Sequence, residues 1–228
     1  MARILSIDTT TKVCSAAWLE DGCCRLSRED YAGQNHGRLL GGFVREILAA
    51  FPGNPDAVAL SAGPGSYTGL RIGASFVKGI CFGWQVPVIV LPTLQVMAAG
   101  LLERYTDLSA DALLCPMIDA RRMEVYAALY DRQLAQRRPA QADIVDADTY
   151  RSWLDAGEVV FFGDGAAKCQ AVIDHPNARF VADVHPLASS MGALAEAAYR
   201  EKRFADLAYF EPFYLKEFQA SVPKNKVF

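Results

Sequence analysis

One segment limits what this chain can fold into more than any other: Gly63-Pro64-Gly65-Ser66-Tyr67-Thr68-Gly69-Leu70-Arg71-Ile72-Gly73. An apolar run over 57–60 enters it, and a helix-like apolar run over 70–84 leaves it. Strand, glycine-rich turn and helix together form an arrangement in which backbone N–H groups and a positive helix end can hold an anion. It is not a Walker A loop, because no Lys-Ser or Lys-Thr pair follows the last glycine. The same glycines also suit a tight turn that supplies unusual dihedrals and lets a helix pack closely. The turn alone leaves both readings open.

Around this segment the chain alternates strands and helices. Ile4-Leu5-Ser6-Ile7 reads as a buried strand ending at Asp8, followed by a polar turn and a second strand over 14–19. Asp21-Gly22 is a hairpin signal before a third strand from Cys23. Leu40, Phe43, Val44, Ile47, Leu48 and Phe51 follow helical spacing, which predicts a helix over about 37–50. A strand at 57–62, the glycine turn, a helix over 69–84, a strand over 86–91 and a helix opened by Pro92-Thr93 follow. The polar stretch 106–111 sets a boundary between a first lobe, 1–106, and a second, 107–220. The second lobe repeats the opening: an apolar strand over 113–118 ends at Asp119, and a strand over 125–130 follows an Arg121-Arg122 turn. A strand over 159–162 runs into Gly163-Asp164-Gly165, and Met191, Leu194, Ala195, Ala198 and Tyr199 stripe a late helix capped by Ser189 or Ser190. Residues 132–150 carry the weakest pattern, and 221–228 reads as a tail. The fold class is therefore α/β: two ribonuclease-H-like lobes, the second reduced, as in the actin, Hsp70 and sugar-kinase superfamily.

Composition removes several function classes. Hydrophobic residues make up 52% and charged residues 21% of the 228, which is globular composition. The formal net charge of −3 argues against an autonomous nucleic-acid binder, whose affinity comes largely from Lys and Arg on phosphates. No apolar run approaches a membrane span, and the start meets a charge too early for a signal peptide. The six cysteines include no CxxC pair and read as reduced, cytoplasmic usage. His36, His175 and His185 lie far apart and predict no metal site.

Four quoted segments carry a resemblance: Ile7-Asp8-Thr9-Thr10, the glycine turn 63–73, Ile118-Asp119-Ala120-Arg121-Arg122-Met123-Glu124-Val125-Tyr126, and Pro212-Phe213-Tyr214-Leu215-Lys216. In order and spacing the chain resembles the bacterial TsaB (YeaZ) family. The resemblance implies a cytoplasmic, non-catalytic subunit of the machinery that makes N6-threonylcarbamoyladenosine beside the tRNA anticodon. It implies a TsaD-like transferase and a TsaE-like ATPase as partners, a homodimer when the chain is alone, and contact with tRNA only through the complex. It implies no cofactor of its own, with ATP or ADP present only within the complex.

The residues bear on that expectation. A kinase of this architecture needs two phosphate loops and an adenosine-binding glycine turn. Asp8, Thr9 and Thr10 could be the first loop, Asp119 the second, and Gly163 with Gly165 the third. Where such kinases place a glycine after the second aspartate this chain has Ala120, whose methyl would crowd a phosphate. In the stretch Gln34-Asn35-His36-Gly37-Arg38-Leu39-Leu40, Leu40 falls where the transferase relative has a second metal-spaced histidine. No catalytic residue is predicted. A small-molecule kinase or ATPase using Asp8 and Asp119 is one rival function, and a metallopeptidase-like protein the other. The helix over 69–84 is apolar nearly all round, so one side needs a cover beyond its own sheet. The expected partner surface comprises Leu39, Leu40, Phe43 and Ile47 on the first helix. On the second it comprises Gly69, Ile72, Gly73, Phe76, Val77 and Ile80.

Overall fold

The structure, a computed structural model, describes residues 2–33 and 35–216; the tail expected from 221 lies outside them. In chain order the elements are β1 (Arg3–Asp8), β2 (Cys14–Glu20), β3 (Cys23–Asp30), α1 (His36–Ala50), β4 (Ala57–Ser61), α2 (Tyr67–Trp84), β5 (Val88–Leu91) and α3 (Thr93–Arg104). Then come β6 (Leu113–Asp119), β7 (Glu124–Tyr130), β8 (Gln136–Ile144), α4 (Arg151–Ala156), β9 (Val159–Phe162), α5 (Ala166–Cys169), β10 (Ala178–Val181) and α6 (Gly192–Arg200). The strands form two five-stranded sheets, ordered β3-β2-β1-β4-β5 and β8-β7-β6-β9-β10. In each, the central strand, β1 or β6, is antiparallel to the hairpin strand after it, β2 or β7, and parallel to the strand that follows the next helix, β4 or β9. That repeated order makes each lobe ribonuclease-H-like and the whole an α/β fold of the expected superfamily.

Period-two alternation separates the two faces of the first sheet. Leu5 and Ile7 point to one face, where Leu40, Val44, Ile47, Ala74 and Val77 of α1 and α2 cover them. Ile4 and its neighbours Ala17, Leu19 and Ile89 point to the other, against Met191, Ala195 and Ala198. Ser6 is buried on that second face because its hydroxyl donates to the Ala188 carbonyl at 2.8 Å. The second sheet is built likewise, with Leu114, Ile118 and Phe162 facing α3 and Met117, Leu129 and Phe161 facing Tyr150, Leu154 and Cys169.

The strands divide at the polar stretch 106–111, but the helices cross it. Helix α3, before the boundary, packs its Leu94, Met97 and Leu101 into the second lobe's core. Helix α6, after it, covers the first lobe's sheet. Fully burying each such large side chain contributes roughly 1.5–3 kcal/mol, so this exchange ties the lobes together. Residues 205–216 also return to the first lobe, where Ala205 bridges to Val88.

The structure adds an element where the pattern was weakest and corrects one local expectation. The segment 132–150 contains β8, an edge strand. Neither serine caps α6: both lie in a 3-10 turn, Ala188–Met191, the N-cap is Met191, and no side chain caps the helix. Ser190 instead packs on α3, where a Cβ added to Gly100 would lie 2.8 Å from its hydroxyl oxygen. Gly165 is followed by a single helical turn, α5. Among the described residues, no helix is long and apolar enough to cross a membrane.

Candidate functional site

The ends of β1 and β6 carry the two acidic loops, and their surroundings differ. Asp8 is fully buried. Its Oδ1 accepts from the Thr10 N–H at 2.8 Å and the Thr10 hydroxyl at 2.9 Å, while Oδ2 has no hydrogen-bond partner. Burial pushes this carboxyl up to about 6, against the opposing pull of Thr10 and the nearby Ser61. The glycine turn closes over the loop. The Ser66 N–H donates to the Thr10 carbonyl at 2.7 Å, and the Thr9 hydroxyl donates to the Gly69 carbonyl at 2.7 Å. A Cβ on Gly69 would overlap the Thr9 carbonyl oxygen, one on Gly65 would lie 2.8 Å from Thr10 Cβ, and one on Gly73 would lie 2.5 Å from Thr9 Oγ1. These glycines exist for close approach of α2 to the β1 loop. Of the donors that could meet a phosphate, the Thr9 hydroxyl is bonded to the turn, and the Thr10 N–H and hydroxyl are bonded to the buried Asp8.

Ser66 caps α2 by accepting from the Gly69 N–H at 3.3 Å. Gly63, at φ 120°, begins the turn. Residues 212–216 lie across it: the Phe213 N–H donates to the Ala62 carbonyl at 2.7 Å, and the Tyr214 ring lies 5.1 Å from that of Tyr67. Arg71 sits over the Tyr67 ring at 4.3 Å. Lys216 then pairs with Glu124 of the second lobe. Two segments singled out in the sequence are thus joined by an ion pair, and their opposite charges were the only signal of it.

Asp119 is half exposed. Its Oδ1 accepts from the Arg121 N–H at 3.0 Å and pairs with Lys168, and its own N–H donates to Asp164 Oδ1 at 2.9 Å. Burial pushes this carboxyl up, but Lys168, the Arg121 N–H and Lys12 outweigh it and hold the group below its ordinary value. The Ala120 N–H is spent on the Glu124 carbonyl at 3.0 Å. Gly163, at φ 102°, and Gly165 pack on the β6 backbone, where a Cβ on Gly165 would lie 3.0 Å from the Ile118 carbonyl carbon. His36 Nε2 lies 2.9 Å from the Thr11 carbonyl oxygen. Among the described residues no three His, Cys, Asp or Glu side chains cluster as metal ligands would.

The expected partner residues fall into two groups. Leu40, Ile47 and Val77 are at most 1% exposed and belong to the first lobe's own core. Gly69 and Gly73 are also internal, facing Thr9, so they offer no surface for another helix. Leu39, Phe43, Ile72, Phe76 and Ile80 are half-buried on α1 and α2, Phe43, Phe76 and Ile80 with part of the side chain on the first lobe's core and part left open. The glycines that do face outward are Gly37, Gly42, Gly79 and Gly83, each with open space where a Cβ would stand. Phe82 is 72% exposed beside them. It lines an apolar hollow of about 600 Å³ with Gly79, Leu207 and Ala208. An exposed surface of apolar side chains and bare glycine backbone suits close helix-on-helix packing.

The family model described as TsaD, tRNA N6-adenosine threonylcarbamoyltransferase, matches residues 30–224. The tRNA threonylcarbamoyladenosine biosynthesis protein TsaB of Escherichia coli is 36% identical over 133 residues. That alignment covers 57% of this chain and 55% of the relative, so the chain spans about half the length of that protein. TsaB of Bacillus subtilis is 26% identical over 212 residues, 90% of this chain and 85% of the relative. A solved Pseudomonas aeruginosa structure, described as similar to peptidase YeaZ, is 27% identical with a TM-score of 0.81, covering 95% of this chain and all of that one.

Proposed function

Since the chain belongs to the TsaB (YeaZ) family, within the wider family whose model describes the transferase TsaD, we propose that it is a non-catalytic subunit of the cytoplasmic machinery that threonylcarbamoylates adenosine beside the tRNA anticodon. It binds a TsaD-like transferase through the outer face of α1 and α2 and pairs with itself through the same face when alone. A TsaE-like ATPase joins the assembly, and any ATP or ADP is held there rather than by this chain.

The observation that carries this reading is the closure of the Asp8 loop. A phosphotransferase needs a loop whose N–H groups, hydroxyls and carboxylate face the phosphate and its metal. Here the Thr9 hydroxyl, the Thr10 N–H and hydroxyl and one Asp8 oxygen are engaged within the chain, and the glycine turn and α2 lie against the loop through Gly65 and through Gly69 and Gly73. Opening it would require moving α2, which is anchored in the first core by Leu70, Val77 and Cys81. The remaining asset of the first lobe is its surface. Leu39, Phe43, Phe76 and Ile80 stand at the seam of the two helices, flanked by glycines that let a partner helix approach.

The test is a pair of charge substitutions, Phe43→Glu and Phe76→Glu. A carboxylate at the centre of an interface loses water without gaining a partner, which costs several kcal/mol. Both variants should fold by circular dichroism, elute as monomers, and fail to co-elute with the transferase. Folded variants that still form the heterodimer would remove this face from the interaction.

A further inference from the structure

The two lobes close their first hairpins differently. In the first lobe the left-handed positions between β2 and β3 are Asp21 and Gly22, at φ 52° and 76°. Those residue types suit positive φ. In the second lobe the positions between β6 and β7 are Arg121 and Arg122, at φ 73° and 50°. Consecutive left-handed arginines are disfavoured by their Cβ atoms, and such strain persists only where the surroundings hold it. The surroundings do so here. The Arg121 N–H is fixed by Asp119, which is fixed in turn by Lys168 and Asp164, and the Glu124 N–H closes the turn on the Arg121 carbonyl at 3.1 Å.

The loop is thus held at its base while both guanidinium groups stand in solvent with no ion pair or hydrogen bond among the described residues. Lys12, also exposed, is near enough to act on Asp119, and Arg121 and Lys216 both act on Tyr126. Around this hairpin the carboxylates are Asp119 and Glu124, paired with Lys168 and Lys216, and Asp164, which accepts from the Asp119 N–H. Against these three stand five cations, the two paired lysines, Lys12, Arg121 and Arg122, so the excess is positive and the two arginines carry it outward. In a chain of net charge −3 that is a local positive surface built on a fixed support.

We propose that Arg121 and Arg122, with Lys12 beside their base, contact the phosphates of the RNA substrate directly, with Asp119 and Lys168 as positioning residues for the hairpin. Guanidinium groups suit phosphate geometry, and a preordered loop loses less freedom on binding. The proposal rests on the tRNA-modification reading above, which supplies the polyanion.

The experiment replaces both arginines by glycine, which the left-handed backbone accepts. Lys202→Gly, at another left-handed cation with φ 55°, is the matched control outside the cluster. An unmodified tRNA transcript is titrated, across about 50–200 mM salt, against the chain alone and against the chain assembled with the transferase. The double variant is expected to melt no lower than the wild type and to assemble normally. It should bind the transcript about tenfold or more weakly, with a log–log salt slope shallower by about 2. The Lys202 variant should match the wild type in both. Unchanged affinity and slope in the double variant would overturn the proposal, as would an affinity loss that tracks a lower melting temperature. Unchanged RNA binding with lost capture of the transferase would give the arginines to a protein partner and also overturn it. If the wild type itself does not assemble with the transferase, the scaffold reading fails, and the titration of the chain alone decides the role of the arginines: binding that the double variant weakens keeps it, and no binding by the wild type overturns it.

Discussion

The two lobes share one strand order but treat the same acidic position in opposite ways. Asp8 ends β1 in a fully buried loop that α2 covers through three closely packed glycines. Asp119 ends β6 in a half-exposed loop, held by Lys168 and Asp164 and followed by two solvated arginines. The helix after the glycine turn has 18 residues in the first lobe and 4 in the second. The first lobe uses the motif as an internal strut behind an outward helical face. The second keeps it open as support for a charged hairpin. The same strand-end loop thus does two structural jobs in one chain, a strut in the first lobe and a support in the second.

The largest expected effect tests the strut. Gly69→Ala puts a methyl into the Thr9 carbonyl, against backbone that cannot yield cheaply, and should cost about 3 kcal/mol or more. A denaturant midpoint close to the wild type would show that α2 does not press on the loop.

Next is the pH dependence of Asp8. Its folded carboxyl titrates at about 6 against 3.8 for the free group, so the folded state holds the proton more tightly. Stability from this group is therefore complete below the unfolded value and falls as pH rises through the folded one, by up to about 3 kcal/mol at neutral pH. Asp8→Asn, which keeps an acceptor for Thr10, should melt higher than the wild type at about pH 8, and the gain should vanish near about pH 4. A constant difference across that range would mean that burial does not govern Asp8.

Gly79→Ala lies on the open outer face and should raise stability by about 0.5–1 kcal/mol through helix propensity while weakening capture of the transferase. Asp119→Asn should have the smallest effect on stability, about 0.3 kcal/mol, because an exposed ion pair is screened. A loss as large as that of Gly69→Ala would erase the contrast between the lobes.

Much of this was legible in the sequence because strand periodicity and turn residues are local signals. Both hairpins, both acidic strand ends and the two long helices fall where the pattern puts them. What failed depended on direction and distance. Gly69 and Gly73 share a helix face, but four-residue spacing does not say whether that face meets Thr9 or a partner. Strand β8 was hidden because Arg137, Arg138 and Pro139 suit only an edge strand, buried on one side at most. Arg138 is nonetheless accommodated by Asp143, which also accepts from the Tyr150 hydroxyl at 2.5 Å, a nonlocal arrangement. The exchange of α3 and α6 between lobes had one readable sign: 94–101 is almost continuously apolar, which marks a helix covered on several sides.

The central claim is that the outer face of α1 and α2, not the Asp8 loop, carries the function. Reconstituted threonylcarbamoylation of a tRNA transcript, with the transferase and ATPase partners held constant, tests it most directly. Asp8→Asn should support modification at the wild-type rate, and Phe76→Glu, folded but unable to pair, should support none. An inactive Asp8→Asn protein that still forms the heterodimer, beside an active Phe76→Glu protein, would contradict the account.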